Sequence, residues 1–320
     1  MMNASKHHTI DHSPISKVSI LFFIIFLFIL VLILLQHEQQ YQKEQELETI
    51  QTITETKYLQ FAKWDNIILT MQKKGFKAWQ LSKVSNFFKY LTPIILKKTF
   101  KKGAPPGAIL AIAALESGYG TGYIANVSGN ILSLNARKTE PMLPPLTLAI
   151  TKNDKIIING EKIKSMLAAG YPFKVIKRPP SYKKDYRPDH IAGKKTHLDY
   201  FLHHPNKKYQ AWEQNVNDLM FSRVVSDSSI VAYKETSKFC DRLYARKSLR
   251  HIFSNKSATK FLTLVGGRPI SYNIRTSWRD KSISLLSKLN LELFLEIYIK
   301  NYKEYYDLSE WKWDINEHNH

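Results

Sequence analysis

The first part of the chain changes abruptly from polar to apolar and back again. Residues Val18 to Leu35 carry no charge and one hydroxyl, whereas residues 1–17 and 36–60 are polar. A helix of that length rises about 27 Å at about 1.5 Å per residue, which matches the hydrocarbon core of a bilayer. Because no small-residue cleavage site follows Leu35, the pattern predicts an uncleaved transmembrane anchor rather than a signal peptide.

The charges on either side of this apolar segment predict its orientation. Lys6 and Lys17 precede the segment, and glutamates dominate the residues after it. Positively charged flanks stay on the cytoplasmic side of a membrane. Residues 1–17 are therefore expected to form a cytoplasmic tail, residues 36–60 a polar stalk, and the rest of the chain is expected to face outward.

Beyond residue 60 the apolar positions recur with helical spacing. Residues 61–100 predict two helices, the second of which is expected to be interrupted near Pro93. Amphipathic patterns predict further helices over residues 207–265, and residues 282–306 predict one or two more. This larger part of the chain is therefore expected to be mainly helical.

Two short runs rich in β-branched residues interrupt the helical pattern. Leu146–Thr151 and Lys155–Ile158 flank Lys152-Asn153-Asp154, which is typical of a hairpin turn. The basic and aromatic residues 170–210 follow, and are expected to form loops and short strands along one side of a cleft. Their tyrosines offer rings on which sugars could stack: Tyr182, Tyr186, Tyr200 and Tyr209.

The most informative stretch is the short apolar segment from Pro106 to Ser117. Pro106 suits the first position of a helix, and the glycines at 118 and 120 favour its end. Glu116 falls on the same stripe as Ile109 and Ile112, so its carboxyl is expected to face inward. Burial disfavours the charged form and raises the pKa of a carboxyl, as a general acid requires. Without further signals, a Glu that caps or pairs at a helix end is the simpler interpretation.

Composition narrows the partners and the chemistry. The formal charge of +20, from 47 Lys and Arg against 27 Asp and Glu, attracts polyanions of any kind. The outward orientation makes nucleic acid an unexpected partner and favours anionic lipid or wall polymer. One cysteine, Cys240, excludes an internal disulfide and is expected to be a buried free thiol. No metal or other cofactor is predicted, because the histidines of residues 190–204 lack ligand spacing.

Two motifs resemble a known family of cell-wall hydrolases. Ala114–Ala125 reads ALESGYGTGYIA and Gly129–Ala136 reads GNILSLNA. Together they resemble the glucosaminidase family of peptidoglycan hydrolases, glycoside hydrolase family 73. In that family an apolar helix ends in Leu-Glu-Ser-Gly-aromatic-Gly and an Asn-Leu-Phe-Gly-like segment follows. Asn130 matches the Asn, while Ser133 stands where Gly is usual.

A third segment resembles the family's Tyr-Ala-Thr-Asp-Pro motif in a degenerate form. Within Gly266–Lys281, Tyr272 falls on the motif's Tyr and Trp278 on its later aromatic residue. Arg275-Thr276 replaces the Asp-Pro pair, and Asp280-Lys281 is expected at the start of the following helix.

The resemblance implies a fold and an activity. It implies an α+β, lysozyme-like domain over residues 61–295 with a small β-lobe, followed by an aromatic extension over residues 296–320. It implies hydrolysis of the β-1,4 bond after N-acetylglucosamine in peptidoglycan, at the outer face of a bacterial cytoplasmic membrane. Glu116 would be the general acid. The other site residues are Tyr272 and Asp154 as catalytic groups and Tyr119, Tyr123 and Asn130 against the substrate. Asn130 is expected to fix the loop beneath the cleft rather than to perform chemistry.

The second catalytic group is left open. The family carries a second carboxylate on the strand entering the hairpin, but Ile150 and Thr151 occupy that position here. Asp154, Glu140 or Glu161 could replace it, or the substrate's own acetamido group could act instead. Two other functions stay open beside hydrolysis: a lytic transglycosylase, and an inactive protein that binds peptidoglycan.

Overall fold

The computed structural model describes residues 35–36, 38–40, 62–134, 147–150, 157, 162, 165–166, 168–170, 174–177, 205–224 and 230–313. The chain divides into two units, Met1–Ala62 and Lys63–His320, and the functional residues belong to the second. Residues 18–34 of the predicted transmembrane segment lie outside the described residues. Within the described residues, no helix has the length and apolar character needed to cross a membrane.

The described part of the second unit is mainly helical, as predicted. The α-helices are α1 (residues 62–73), α2 (Ser82–Lys102), α3 (Pro106–Ser117), α4 (Tyr123–Ser128), α5 (Pro205–Asn217), α6 (Val231–Arg246), α7 (Leu249–Phe253), α8 (Asn255–Val265), α9 (Thr276–Leu289) and α10 (Leu291–Tyr302). Short 3-10 helices cover Lys77–Gln80 and Lys303–Tyr305, and α5 continues as a π-helix over Asp218–Arg223.

Helix α3 lies at the centre of the domain. It packs against α2, α8, α9 and α10, and every residue from Pro106 to Ala114 is buried. The helix begins at Pro106 and ends before Gly118, which has a left-handed φ of 57°. The predicted bounds and burial of this helix are therefore confirmed.

Helix α2 differs from its prediction, because it runs through Pro93 without interruption. Proline lacks the backbone N–H and normally breaks or kinks a helix. Here the helix buries an apolar face on both sides of Pro93, including Phe88, Leu91 and Ile95, each fully buried. At about 1.5–3 kcal/mol for each buried side chain of this size, that burial outweighs the cost of about 3 kcal/mol for one proline.

Aromatic side chains join the 3-10 helix before α2 to the C-terminal helices. The Trp79 ring stacks on Phe294 with centroids 4.4 Å apart, and its Nε1 donates to the Leu289 carbonyl at 2.9 Å.

Cys240 of α6 is a buried free thiol, as predicted, and burial raises its pKa.

The aromatic C-terminal residues belong to this same core. The boundary predicted at residue 295 falls inside α10, whose Tyr298 and Tyr302 are buried. After α10 the chain returns to α7, where Leu249 N donates to the Lys312 carbonyl at 2.9 Å. This bridge places the buried Trp311 against Phe100, with ring centroids 5.2 Å apart. Residues 296–313 are thus packed as part of the domain.

Two short strands form an antiparallel pair: β1 (Thr147–Ile150) and β2 (Lys174–Lys177). Thr147 pairs with Lys177 and Ile150 with Lys174. Among the described residues, the partner of the first predicted strand is β2. The hairpin partner predicted from the sequence, Lys155–Ile158, lies outside the described residues except for residue 157. The β-branched residues identified the strand, but pairing between strands depends on distant parts of the chain. Of residues 151–158, only residue 157 is described.

Candidate functional site

The end of α3 is a tight turn that fixes the position of Glu116. Gly118, Tyr119 and Gly120 have φ values of 57°, 60° and 72° in succession. The Ser117 hydroxyl accepts a hydrogen bond from Gly120 N at 2.8 Å, and the Tyr119 N–H returns to the Ala114 carbonyl at 3.1 Å. Left-handed conformations favour glycine, so the two glycines permit a turn that ends the helix one residue after Glu116.

Three side-chain donors converge on the Glu116 carboxyl. The Trp278 Nε1–H donates to Oε1 at 2.5 Å. The Ser133 hydroxyl and the Asn273 side-chain amide also form hydrogen bonds with this carboxyl. The three donors come from the loop after α4, the loop before α9 and the first turn of α9. A half-buried carboxyl is thus held in one orientation by three separate segments.

Burial sets the protonation of Glu116. Loss of water around the carboxyl raises its pKa above the ordinary value of a Glu, and this effect is larger than that of the three hydrogen bonds, which lower the pKa. Among the described residues, the groups that shift the pKa of Glu116 include no second carboxylate. Glu116 is thus a carboxyl that favours its protonated form and is held in one orientation, as a proton donor requires.

The loop between α8 and α9 brings the side chains of Tyr272 and Asn273 to the site. Backbone hydrogen bonds close this loop, from Tyr272 N to the Val265 carbonyl at 2.9 Å and from Gly267 N to the Asn273 carbonyl at 2.7 Å. Gly266 lets the Trp278 ring pack directly against the loop, because a Cβ at Gly266 would lie 2.2 Å from that ring.

Tyr272 lies beside Glu116, as the resemblance implied, but its hydroxyl is already engaged. The hydroxyl donates to the Leu132 carbonyl, and the ring packs against Trp278 with centroids 5.3 Å apart. Burial, and then the negative charge of Glu116, hold the pKa of Tyr272 well above its usual range, while Arg223 acts in the opposite direction. Tyr272 therefore stays neutral and presents oxygen lone pairs rather than a free O–H.

Asn130 builds the loop that carries Ser133. Its Nδ2 donates to the Leu134 carbonyl and its Oδ1 accepts from Leu134 N, both at 2.9 Å. Asn215 of α5 donates to the same Oδ1 at 3.2 Å and accepts from Leu132 N at 2.9 Å. Both side chains are buried. The structure thus places Asn130 beneath the site as a bracket for the loop, which is the role expected for it; its contact with the substrate stays a prediction.

Ser133 occupies a backbone conformation that favours glycine, with φ at 52°. The resemblance pointed to glycine at this position, and the conformation is one that a glycine adopts at little cost. The serine accepts backbone strain of about 1–2 kcal/mol and contributes a hydroxyl to Glu116.

The remaining predicted site residues are placed as follows. The Tyr119 ring is half-buried and meets Phe87 and Phe88 of α2 edge-on, at 6.1 and 6.3 Å between centroids; burial raises its pKa. Tyr123 is the first residue of α4, and its side chain lies outside the described residues. So do Asp154, Glu140, Glu161, and the histidines between 190 and 204. The described residues contain no cluster of His, Cys, Asp and Glu able to hold a metal.

Sequence reasoning missed four residues of this site. The motif identifies Trp278 only as a later aromatic residue, and nothing in the sequence gives Asn273 a role, although it adjoins Tyr272. Asn215 and Arg223 lie on a different segment, and no motif connects them with Glu116. Both are buried polar residues, which a sequence alone does not reveal. The helix expected to start near Asp280-Lys281 begins at Thr276, so Trp278 lies in its first turn.

Comparison of the chain with protein-family models, with curated proteins and with solved structures found no match.

Proposed function

We propose that this domain is a peptidoglycan hydrolase that cleaves the β-1,4 bond after N-acetylglucosamine, with Glu116 as general acid. The observation that carries the proposal is the Glu116 carboxyl at the end of a buried helix, with a raised pKa and three side-chain donors around it. The neighbouring Tyr272 belongs to a motif that resembles the glucosaminidase family, and the donor Ser133 stands where that family usually has Gly. The lysozyme-like arrangement and its β-lobe are part of the same proposal.

In this mechanism Glu116 transfers its proton to the glycosidic oxygen as the bond to the sugar breaks. The raised pKa keeps a fraction of Glu116 protonated where an exposed carboxyl has lost its proton. Once the proton has left, the carboxylate is stabilised by the donors from Trp278, Ser133 and Asn273. The same three groups therefore assist the deprotonated form that exists after transfer.

A positively charged sugar centre must be stabilised after the leaving group departs. Tyr272 donates its only hydroxyl proton to the Leu132 carbonyl, so its oxygen can act on this centre only through its lone pairs. The 2-acetamido group of the substrate can attack the centre from within the sugar, as substrate-assisted glycosidases do. Alternatively, Asp154 or Glu140 from the segment after the site supplies a carboxylate that activates water.

The proposal includes the place of action. The apolar segment from Val18 to Leu35 anchors the chain in the bacterial cytoplasmic membrane with residues 1–17 inside. The domain then meets the peptidoglycan strands on the outer side, and its +20 charge suits an anionic wall.

A digest of purified peptidoglycan tests this function. The full chain in detergent is incubated with sacculi, the new reducing ends are reduced with borohydride, and the products are identified by mass spectrometry. Reduced N-acetylglucosamine ends are expected, and they should be lost in Glu116→Gln but retained in Glu296→Gln, a matched change on α10. Equal product from all three proteins, or product ending in reduced muramic acid, would contradict the assignment.

A lytic transglycosylase is the second candidate, and one observation favours it. Such enzymes work with a single Glu, and among the described residues no second carboxylate acts on Glu116. The same digest separates the two activities, because a transglycosylase leaves anhydro-muramic ends. Binding to sacculi without any released fragment, unchanged in Glu116→Gln, would instead identify an inactive binding protein.

A further inference from the structure

A basic groove lies on α6, α7 and α8, and it shares no residue with the Glu116 site. Its volume is about 600 Å³, and its walls include two arginines and two lysines: Arg242, Arg246, Lys256 and Lys260. Hydroxyl groups from Ser254, Thr259 and Thr263 line the same groove. None of the residues that line it is an Asp or a Glu.

The four cations are arranged as two pairs at helical spacing. Arg242 and Arg246 are four residues apart on α6, and Lys256 and Lys260 are four residues apart on α8. Residues at this spacing share one face of a helix and are about 6 Å apart along its axis. Because α6 packs against α8, both pairs line one groove.

This concentration of like charge is not relieved by the described part of the chain. Other cations have carboxylate partners, such as Lys98 with Glu213 at 3.0 Å and Arg268 with Glu235 at 2.5 Å. The described residues give no ion pair to the four cations of the groove, and all four side chains are exposed. Like charges at this helical spacing destabilise a helix, so an anionic ligand would relieve a standing repulsion.

The donors of the groove suit phosphate groups. The guanidinium of an arginine matches two phosphate oxygens at once, and the lysine ammonium groups supply further donors. Four cations spread over two helices fit successive charges along a chain better than one small anion.

An anionic polymer bound in this groove is expected to carry no nucleobases. Proteins that bind single-stranded nucleic acid present aromatic rings on which the bases stack. Among the described residues that line the groove there is no Tyr or Trp, and Phe239 packs against the hydrophobic core. The remaining ring is that of His251, whose Nδ1 is hydrogen-bonded to the Ser248 hydroxyl at 2.9 Å. The concave shape also suits a chain lying in the groove rather than the flat surface of a bilayer.

We propose that this groove binds a linear polyol-phosphate polymer through its successive phosphodiester groups. The proposal goes beyond catalysis at Glu116. A second anchoring point on an anionic envelope polymer would hold the domain near its wall and leave the Glu116 site free.

The test measures binding of a synthetic glycerol-phosphate hexamer to the full chain in detergent, by calorimetry at several salt concentrations. With four phosphates neutralised, the slope of log K against log salt should be about −3. Neutralising the groove by Arg242→Gln, Arg246→Gln, Lys256→Gln and Lys260→Gln should weaken binding about 10- to 100-fold and flatten the slope.

A second fourfold variant controls for the overall charge. Lys73→Gln, Lys74→Gln, Lys77→Gln and Lys288→Gln remove the same charge from exposed positions outside the groove, and should leave the affinity within about threefold. Equal weakening in both variants would overturn the proposal, as would the absence of binding. Tighter binding of a thymidine oligonucleotide of equal charge, lost in the groove variant, would also overturn it. Glu116→Gln should bind the hexamer normally, which separates this test from that of the catalytic function.

Discussion

The hydrogen bond from Trp278 to Glu116 gives the sharpest prediction about the site. Trp278→Phe removes the indole N–H, which lies 2.5 Å from Glu116 Oε1, but keeps an aromatic ring beside Tyr272. A hydrogen bond to a charged group contributes about 1.5–3 kcal/mol, and one pKa unit corresponds to about 1.36 kcal/mol. Water can replace part of this bond because Glu116 is half-buried. We therefore expect the pKa of Glu116 to rise by about one further unit.

Two measurements detect this change. The first is an NMR titration of the Glu116 side-chain carboxyl carbon, identified by its absence from Glu116→Gln. The second is the pH dependence of unfolding. The folded pKa of Glu116 lies above the unfolded one, so the folded state binds more protons between the two values. The free energy of unfolding falls as pH rises through this interval, and the fall should be larger by about 1.4 kcal/mol in Trp278→Phe.

The pH dependence of catalytic activity should show the same change in the pKa of Glu116. A general acid must be protonated, so activity is lost as pH rises through the pKa of Glu116. In Trp278→Phe this basic limb should move to higher pH, by the amount seen in the titration.

Trp79→Phe is the matched control for this prediction. Trp79 also donates its indole N–H, but to the Leu289 carbonyl rather than to a carboxylate. This variant should lose stability while the pKa of Glu116 and the basic limb stay in place. An unchanged or lower pKa of Glu116 in Trp278→Phe would refute the reasoning.

Three further predictions concern the turns and the loop around the site. Ser133→Ala and Ser133→Gly should both raise the pKa of Glu116 in the same titration. Ser133→Gly should be more stable than Ser133→Ala by about 1 kcal/mol, because glycine removes the backbone strain at this position. Gly120→Ala should destabilise the domain more than Gly118→Ala in urea titrations: both have positive φ, but only the Cβ at Gly120 lies 2.9 Å from an indole ring. Asn215→Ala removes two buried hydrogen bonds and should lower the free energy of unfolding by about 2–4 kcal/mol in the same assay; a loss below 0.5 kcal/mol would contradict the role of this bracket.

Local signals predicted the helices and the position of Glu116 well. Pro106, the apolar run and the following glycines specify α3 through backbone geometry and burial, which act within a few residues. The path of α2 through Pro93 could not be predicted, because it depends on how much apolar surface the finished core buries.

The neighbours of Glu116 were harder to predict, because they arrive from distant segments. Trp278 and Asn215 contact the site only after α9 and α5 have packed. A sequence reveals the period of a helix but not which helices will be adjacent. The pairing of β1 with β2 could not be predicted for the same reason, since residues 151–173 separate the two strands.

The contact between Trp311 and Phe100 bears on how the domain is made. The two residues are about two hundred positions apart, so roughly 10–40 s of translation separate them. Until Trp311 has emerged, one side of α2 lacks its aromatic partner, and the core stays incomplete. If the chain is threaded across a membrane, as the predicted anchor requires, this delay is an advantage, because an unfinished core is easier to keep extended during export.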